Sequence, residues 1–528
     1  MKAKKILALL LVLCLCAAVA ACGDSGTSPS SSAPANDSGN ENSDSGGEGN
    51  TGTGDPVTLT IFIDHSWYPI EEFTGIIPEE ITRQTNVILD PTIAVDQNQL
   101  GVMMSSGELP DLVYTQNSLD RMSNAKLSYP YEELLEQYDT GWTPTEAQLG
   151  IGRGLSADGV AYTIANHVSY KEDWEGKSSV PMVGSMTYRV DLWEAIGSPS
   201  MTSFEEIYQV LGMIKEAYPD VVPLKLNENW NTLVLRYLNG IGGVDFVEQA
   251  DGSYIHYTKD PRYEQDLMWL NECFRSGYIV TDDSYFVSGS TAIADDKYFM
   301  SCACTQNSLP GANATLAAIN PDYCLAELVP FAESSYLTSD TGWSATFITR
   351  QNKNPEASIK FIAWMFSEAG QKVTQMGREG VEYTLDEKGL PIFSDEWVNA
   401  IQEGNQNTVY NPWFYLGGSE IVEADARCAT TDPALVADCY SIIRDRFDNY
   451  PWIMGSYPLA GVNEDEKVIF DKIKELVKTY EAKVIMAGSS DEAAALYAEY
   501  LNNASRTGME TLEDFMTQAI VENKKMYE

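Results

Sequence analysis

The folded part of the chain opens with VTLTIFIDHSWYPIEEFTGIIPEEITRQTNVILD, residues 57–90. Residues 57–63 and 86–90 are rich in β-branched and other apolar side chains, which predicts two strands. Between them, residues 76–85 carry Pro78 near the start and two glutamates directly after it, a pattern typical of the first turn of a helix. A helix of this length between two strands predicts a parallel βαβ unit, and hence an α/β fold.

The same alternation continues to residue 114. Residues 97–106 predict a helix that ends at Gly107, and residues 111–114, which follow Pro110, predict a third short strand. In parallel sheets, ligands bind beyond the carboxyl ends of the strands. Candidate ligand-binding side chains therefore follow the first and third strands: Asp64, Trp67, Gln116 and Asn117.

The middle and the end of the chain favour helices. Apolar residues recur at helical spacing in residues 204–218, where two glutamates fall in the first turn. Near the carboxyl terminus, residues 468–480, 491–502 and 511–523 predict three more amphipathic helices.

The amino-terminal residues have the pattern of a secretory leader. Three lysines precede an apolar run from Leu7 to Val19, and Ala20 and Ala21 lead to Cys22. The run is shorter than the ~20 residues that a membrane-spanning helix needs. We therefore expect a signal peptide over residues 1–21. The alternative is an ordinary secretory signal in which the cysteine is incidental.

Residues 23–55 contain almost only glycine, small polar and acidic residues, with no large apolar side chain. Such a segment does not bury enough apolar surface to offset the entropy of ordering the chain. We expect residues 22–55 to be a disordered tether that begins at Cys22 and leads to a folded domain over 56–528.

Length and charge limit the classes of partner. The 473 residues from 56 to 528 are too many to pack around one small hydrophobic core, which predicts two lobes. The formal net charge is -43, and removing the three lysines of the leader leaves -46. A field of this sign repels nucleic acid and favours a neutral or cationic ligand. We expect a monomer that binds no nucleic acid.

Cysteine and histidine do not form metal-site patterns. Six cysteines remain after the leader and Cys22; they are Cys273, Cys302, Cys304, Cys324, Cys428 and Cys439. Outside the cytosol an even number permits disulfides, for example between the last two or between Cys324 and one of the pair at 302 and 304. Buried free thiols are the alternative. There is no CxxC pair and histidine is scarce, so we expect no metal and no cofactor.

The chain resembles the extracellular solute-binding lipoproteins of bacterial ABC importers, family 1, in the large sugar-binding branch of Gram-positive bacteria. The likeness is carried by stretches in a fixed order, which are GELPD (107–111), DGVAY (158–162), YRVDL (188–192) with SFEE (203–206), NPEA (354–357) with FSEAG (366–370), GREGVEYT (377–384), and the helices after 504. Together they cover nearly all of residues 56–528.

This resemblance implies a two-lobed periplasmic-binding-protein-like α/β fold, with crossing hinge segments and a ligand cleft between the lobes. From it we place lobe 1 at about 56–165 and 295–370, and lobe 2 at about 170–290 and 380–528. The family also implies an oligosaccharide ligand and a partner, the ABC permease. Cys22 would be the lipidated residue that holds the protein at the outer face of the cell membrane.

One departure from the family concerns calcium. Relatives often carry an EF-hand-like loop after the helix that corresponds to 204–218. Here residues 215–223 read KEAYPDVVP, without the alternating Asp or Asn residues that such a loop needs. We therefore expect no calcium site at this position.

A sugar site needs aromatic plates for the C–H face of the ring and polar side chains for its hydroxyl edge. The candidate plates are Trp67, Trp230, Trp343 and Trp413, and for each a packing role is the alternative. Candidate edge contacts are Asp64, Gln116, Asn117, Asn166, Asn229 and Glu382. Arg189 would bind hydroxyls or a carboxylate, or else form a structural ion pair with Asp191.

Two alternatives to an oligosaccharide carrier stay open at this point. A carrier of peptides or other small solutes would contact its ligand through backbone groups. A secreted glycosidase would need two carboxylates across a cleft. No nucleophile-elbow, zinc-protease or dinucleotide-binding motif is present, and we expect no enzymatic activity.

Overall fold

The computed structural model describes residues 54–66, 68, 71–96, 98–226, 231–280, 296–304, 309–338, 342–387, 389–412, 419–449 and 464–525. The predicted leader, Cys22 and nearly all of the predicted tether lie outside these ranges.

The described strands are, in chain order, β1 (Val57–Ile63), β2 (Val87–Ile93), β3 (Leu112–Thr115), β4 (Ala165–Asn166), β5 (Gly184–Arg189), β6 (Val222–Lys225), β7 (Phe246–Glu248), β8 (Tyr254–His256), β9 (Tyr298–Cys304), β10 (Leu325–Glu327), β11 (Tyr336–Thr338), β12 (Ser344–Ile348), β13 (Tyr383–Leu385), β14 (Pro391–Phe393) and β15 (Phe447–Asn449).

The described α-helices are α1 (Ile76–Thr85), α2 (Gln99–Ser106), α3 (Leu119–Met122), α4 (Tyr131–Gln137), α5 (Glu146–Gly154), α6 (Val190–Ala195), α7 (Phe204–Ala217), α8 (Asn231–Leu238), α9 (Pro261–Arg275), α10 (Leu309–Ile319), α11 (Pro355–Met365), α12 (Glu368–Met376), α13 (Asp395–Gln402), α14 (Gln406–Val409), α15 (Glu420–Cys428), α16 (Ala437–Arg446), α17 (Glu464–Ile485), α18 (Ser490–Thr507) and α19 (Met509–Lys524).

The first lobe is built on a five-stranded sheet with strand order β2-β1-β3-β12-β4. β1 runs parallel to β2 and β3, as the predicted βαβ units require, and β12 runs antiparallel to β3 and β4. Successive side chains of a strand point to opposite faces of the sheet. Accordingly, Ile61 and Ile63 pack under α1 and α4, whereas Phe62 packs with α2 and α3 on the other face.

The second lobe is built on a four-stranded sheet with order β10-β5-β9-β6. β9 pairs antiparallel with β5 and parallel with β6. One face is covered by α7, α9 and the carboxyl-terminal helices, with Ile207, Leu270 and Ile473 fully buried. The other face packs against α10, α15 and α16.

The lobe boundaries differ from those that we inferred from the sequence. Residues 298–304 and 325–327 belong to the sheet of the second lobe, whereas the resemblance predicts 295–370 in the first. Conversely, Trp397 and Tyr410 pack in the core of the first lobe, whereas the resemblance predicts residues 380–528 in the second. Strand pairing between distant segments determines these boundaries, and local patterns carry no information on it.

The elements of the first lobe begin and end close to the predicted positions. β1 and α1 have the predicted bounds, while α2 begins at Gln99 instead of position 97. Gly107 closes α2 in the left-handed conformation, as the sequence indicates. The carboxyl-terminal helices are confirmed as three, and α17 is longer than the predicted 468–480.

The cysteines with described side chains are free thiols: Cys273, Cys302, Cys324, Cys428 and Cys439. Cys428 and Cys439 share one apolar cluster of the second lobe without being bonded to each other. Burial raises the pKa of the Cys302 and Cys428 thiols to about 12 each, which keeps both thiols protonated and unreactive. Of the two alternatives from the sequence, the structure therefore favours buried thiols.

Within the described ranges, no helix is both long enough and apolar enough to cross a membrane.

Candidate functional site

The site lies at one edge of the first sheet, where β1 and β3 end and β12 begins. The backbone N–H of Asp64 donates to the carbonyl of Tyr114 at 2.9 Å, which fixes the chain directly after β1 against the end of β3. Thr115 Oγ1 then donates to Asp64 Oδ2 at 2.8 Å. Across the next strand pair, Ala345 of β12 lies opposite Thr115. The predicted residues after the first and third strands are thus brought together.

Trp343 is the centre of an aromatic cluster at this edge. Its ring centroid lies 5.7 Å from His65 and 5.7 Å from His167, so the indole sits between two imidazoles. Tyr114 completes the cluster, with its ring 6.2 Å from Trp343 and 4.9 Å from His65. Trp343 is half-buried, whereas both histidines are buried. A partly exposed indole on a rigid support is suited to packing against an apolar ring face.

The position of Trp343 depends on the glycine before it. Gly342 has a φ of +112°, a conformation that side chains with a Cβ rarely adopt. A Cβ here would meet the backbone carbonyl of Asn166 and would lie 2.8 Å from the Cβ of Ala165. The glycine therefore lets the segment before β12 approach β4 closely, which sets the indole against His167.

Asp64 and Asn166 supply polar atoms on either side of the cluster. Burial raises the pKa of Asp64, although the hydrogen bond from Thr115 and the charge of Arg121 act in the opposite direction. Asp64 Oδ1 is buried without a hydrogen-bond partner. Asn166 Nδ2 donates to Thr346 Oγ1 at 3.3 Å, and its Oδ1 also has no partner. Both unpaired atoms are hydrogen-bond acceptors.

The histidine that follows Asp64 is uncharged at neutral pH. Burial lowers the pKa of His65 to about 4, because the imidazolium would lose its hydration inside the cluster. Gln116 and Asn117 follow β3 directly and are exposed, and the backbone N–H of Asn117 donates to Thr115 Oγ1 at 3.1 Å. These two amides lie at the solvent side of the same edge.

Charged residues support the aromatic cluster from the side of the second lobe, and no pattern in the sequence predicts them. His167, in the left-handed region with φ 62°, contacts the carboxylate of Glu423 of α15 through Nε2. The other carboxylate oxygen of Glu423 pairs with Arg427. Burial acts to raise the pKa of Glu423, but Arg427 and His167 outweigh it and the pKa is lowered. No local pattern connects two segments so far apart in sequence.

The neighbouring Glu420 ties the same two segments together. Its carboxylate accepts from Ser169 Oγ at 2.7 Å, and its backbone N–H donates to the carbonyl of Val168 at 3.2 Å. Asn449 Nδ2 donates to the carbonyl of Ser169 at 2.7 Å. Residues 166–170 lead from the first sheet to the second lobe. These bonds therefore hold this connecting segment to Glu420 and Asn449, next to the cluster around Trp343.

The lobes also meet at the other side of the site. Lys467 of α17, in the second lobe, lies 3.6 Å from the carboxylate of Asp120 on α3, in the first. Arg121, the next residue of α3, is the cation that acts on Asp64. The edge that carries the aromatic cluster therefore faces the second lobe.

Arg189 does not join this cluster. It ends β5, whose other end leads to the first lobe, and it is buried. Two of its guanidinium nitrogens, Nε and Nη2, donate to the two oxygens of Asp191 at 2.6 Å each, and its plane lies 3.9 Å from the ring of Tyr323. The structure thus realises the ion pair with Asp191 that the sequence left open as the alternative.

Glu382 is also engaged elsewhere. Its carboxylate accepts from Arg378 Nη2 at 2.6 Å and from Arg378 Nε at 3.0 Å, next to the β13–β14 hairpin. Four further candidates, Trp67, Asn229, Trp230 and Trp413, lie outside the described residues. Of the predicted set, the structure brings together Asp64, Gln116, Asn117, Asn166 and Trp343.

The link between α7 and β6 bears on the calcium question. α7 ends at Ala217 and β6 begins at Val222, and a twelve-residue calcium loop does not fit between them. Throughout the described residues, no group of three or more His, Cys, Asp or Glu side chains is placed to hold a metal ion.

Known proteins match this chain by structure alone. No protein-family model and no curated protein matches the sequence. The alginate-binding protein AlgQ2, solved without calcium ion, matches 89% of this chain and 98% of its own, with 20% identity and a TM-score of 0.68.

Two matches come from Streptococcus pneumoniae. The ABC-transporter substrate binding protein FusA, an EF-hand mutant in complex with fructo-nystose, covers 89% of this chain and 100% of its own, with 17% identity and a TM-score of 0.64. The N-glycan transport solute binding protein NgtS, in complex with Man5GlcNAc, covers 90% and 99%, with 15% identity and a TM-score of 0.57.

At these identities the matches bear on architecture, and they cover almost the whole length of each protein. The resemblance read from the sequence is confirmed at the level of the fold: this chain has the two-lobed α/β fold of these solute-binding proteins.

Proposed function

We propose that this protein is the substrate-binding subunit of an ABC importer and that it captures an oligosaccharide between its two lobes. The observation that carries the proposal is the half-buried Trp343, held between His65 and His167 at the carboxyl edge of the first sheet. Unpaired acceptors of Asp64 and Asn166 flank it. An aromatic plate with hydrogen-bonding groups at its sides suits a sugar ring.

The neighbours support the same function. Their names describe an alginate-binding protein, a transporter substrate binding protein in complex with fructo-nystose and an N-glycan transport protein. All are binding proteins rather than enzymes, which favours capture without turnover. By analogy, the partner of this chain is an ABC permease that receives the ligand.

In the proposed mechanism, closure of the lobes buries the sugar against Trp343. A ligand shifts the balance of open and closed forms only through its higher affinity for one of them. Here that difference comes from contacts that the second lobe adds on closing, through a hinge whose segments meet at Glu420 and Glu423.

The proposed location is the outer face of the cell membrane, with a lipid on Cys22 and residues 23–55 as the tether. In a bacterial host fed a labelled fatty acid, such as palmitate, the chain is expected to incorporate the label, and Cys22→Ser to lose it. A label retained by the variant would contradict the anchor without touching the binding site.

A melting-temperature screen tests the function. The chain without its leader is screened against plant, host and microbial oligosaccharides, with peptides as controls. A ligand that binds only the native state at one hundred times its Kd stabilises it by about 2.7 kcal/mol. We expect a shift with one class of glycan, which is recovered intact. A response to peptides alone, or cleavage of the glycan, would overturn the proposal.

A further inference from the structure

Two buried side chains at the candidate site each keep one hydrogen-bond acceptor unused. Asp64 is 4% exposed and Asn166 is fully buried. Thr115 occupies one carboxylate oxygen of Asp64 and Thr346 accepts from the amide nitrogen of Asn166. The remaining atoms, Asp64 Oδ1 and Asn166 Oδ1, have no partner. A buried acceptor without a donor is unfavourable, so the arrangement is completed by groups that donate hydrogen bonds.

The two acceptors lie on either side of Trp343. Asp64 follows β1, and Asn166 ends β4, with β3 and β12 between these two strands. Adjacent strands are about 4.8 Å apart, so three spacings separate the two backbones by about 14 Å. The neighbours His65 and His167 both contact the indole, which places the plate between the acceptors. This backbone separation exceeds one pyranose ring, so a ligand that donates to both acceptors has room for at least two successive units.

The required donors define the charge of the ligand. Sugar hydroxyls donate, whereas an ionised uronate carboxylate only accepts. A uronate carboxylate placed against Asp64 would leave Asp64 Oδ1 unpaired and would face the charge of Asp64 in a chain of net charge -43. The cation that acts on Asp64 is Arg121, an exposed side chain of α3, which offsets part of that charge from the solvent side.

We propose that the site selects uncharged oligosaccharides of two or more units, whose hydroxyls donate to Asp64 and Asn166, and that it discriminates against uronic-acid oligomers. This inference rests on the proposed function and adds a substrate class to it. Asp64 is the residue that determines the specificity, because it combines the unpaired acceptor with the negative charge.

Matched pairs of glycans test the inference. Gluco-, galacto- and manno-configured tetrasaccharides are compared by calorimetry with their counterparts oxidised at C6 to uronates, at 0.15 M and 0.5 M salt. For whichever configuration binds, we expect the uronate to bind at least ten-fold more weakly. Salt screens distant charges. A preference for the neutral glycan that persists at 0.5 M salt therefore arises from contacts at the site and not from the net charge of the protein.

Variants identify the residue. Asp64→Asn is expected to reduce the preference for the neutral glycan at least three-fold, while Asp90→Asn, which removes an exposed carboxylate of β2, leaves it unchanged. A uronate that binds as tightly as its neutral counterpart overturns the inference and leaves the proposed function standing, and this comparison needs no variant. Loss of the preference at high salt, or an equal preference in Asp64→Asn, also overturns it. Failure of every glycan to bind overturns the proposed function as well.

Discussion

The imidazole of His167 and the carboxylate of Glu423 form a buried polar contact between the segment that leaves the first sheet and helix α15. The imidazole contacts the carboxylate through Nε2 and, on its other side, packs against Trp343 with centroids 5.7 Å apart. Arg427 contacts the second oxygen of Glu423. The connection between the lobes and the aromatic plate of the site therefore share one residue, His167.

Removal of Glu423 is expected to destabilise the protein. Glu423→Ala leaves the largely buried guanidinium of Arg427 without its counter-charge and removes the partner of His167 Nε2, which costs about 3 kcal/mol or more. Urea denaturation measures the free energy of unfolding. Glu356→Ala is the control, because its carboxylate pairs with Lys360 at the surface and its loss costs less than about 1 kcal/mol. Equal effects of the two substitutions would contradict the role of the buried pair.

Gly342→Ala is expected to lower both stability and affinity. The positive φ is unfavourable for alanine, and the new Cβ would meet the backbone of β4, so we expect a loss of about 1–3 kcal/mol and a displaced Trp343. Gly389→Ala measures the effect of the positive φ alone, because Gly389 has φ +81° and a Cβ there would meet no other atom. Gly150→Ala, within α5 and also in open space, tests for non-specific effects. If ligand affinity falls equally in all three variants, the close approach at Gly342 is not what positions the plate.

Trp343→Ala is expected to weaken ligand binding about 10- to 100-fold, because the plate contributes apolar contact at the centre of the site. Trp142→Ala provides the matched control. Trp142 is also half-buried in the first lobe, where it stacks on Phe366 at 4.8 Å, away from the sheet edge. Calorimetric titration compares the two, and a similar loss of affinity in both would assign the effect to general loosening of the lobe.

The stability of the protein is expected to depend on pH through Glu327. Burial raises the pKa of this carboxyl from 4.5 to about 7, although contacts with Ser185, Cys439 and Tyr440 act to lower it. The folded state then holds a proton that the unfolded state releases between pH 4.5 and 7. Stability therefore falls as pH rises through that window, by a total on the order of 3 kcal/mol.

Glu327→Gln keeps an acceptor and removes this titration. Urea unfolding at pH 5, 6, 7 and 8 should show the variant gaining stability relative to the wild type as the pH rises. The exposed Glu216→Gln should instead follow the wild-type curve. If the curves of Glu327→Gln and the wild type run parallel from pH 5 to 8, Glu327 is charged in the folded protein and the prediction is wrong.

The local elements of the first lobe were predictable because their signals are local. Alternating apolar residues in 57–63 and the helical start at 76–85 depend on neighbours a few positions away, and both elements have the predicted bounds. The position of Asp64 and Gln116 at the sheet edge was predictable for the same reason, because each follows directly on a strand whose end is marked locally in the sequence. Their role in ligand binding stays a prediction.

The long-range contacts were not predictable from one sequence. Ser169 and Glu420 are 251 positions apart, and their hydrogen bond depends on how the lobes are connected. The same reason explains the misplaced segments 298–304 and 325–327, whose strand partners are chosen by the tertiary fold. The sequence allows Arg189 either to bind ligand or to pair with Asp191. The choice depends on where β5 ends relative to Asp191, and the structure shows the ion pair.

The central claim, capture of an oligosaccharide at the Trp343 edge, is tested most directly by calorimetric titration with the neutral glycan that gives the largest melting shift. The account predicts saturable binding of one glycan per chain, recovery of the glycan intact, and loss of most of the affinity in Trp343→Ala. Binding that is equally tight in the Trp343→Ala variant, or no heat of binding with any glycan, would contradict it.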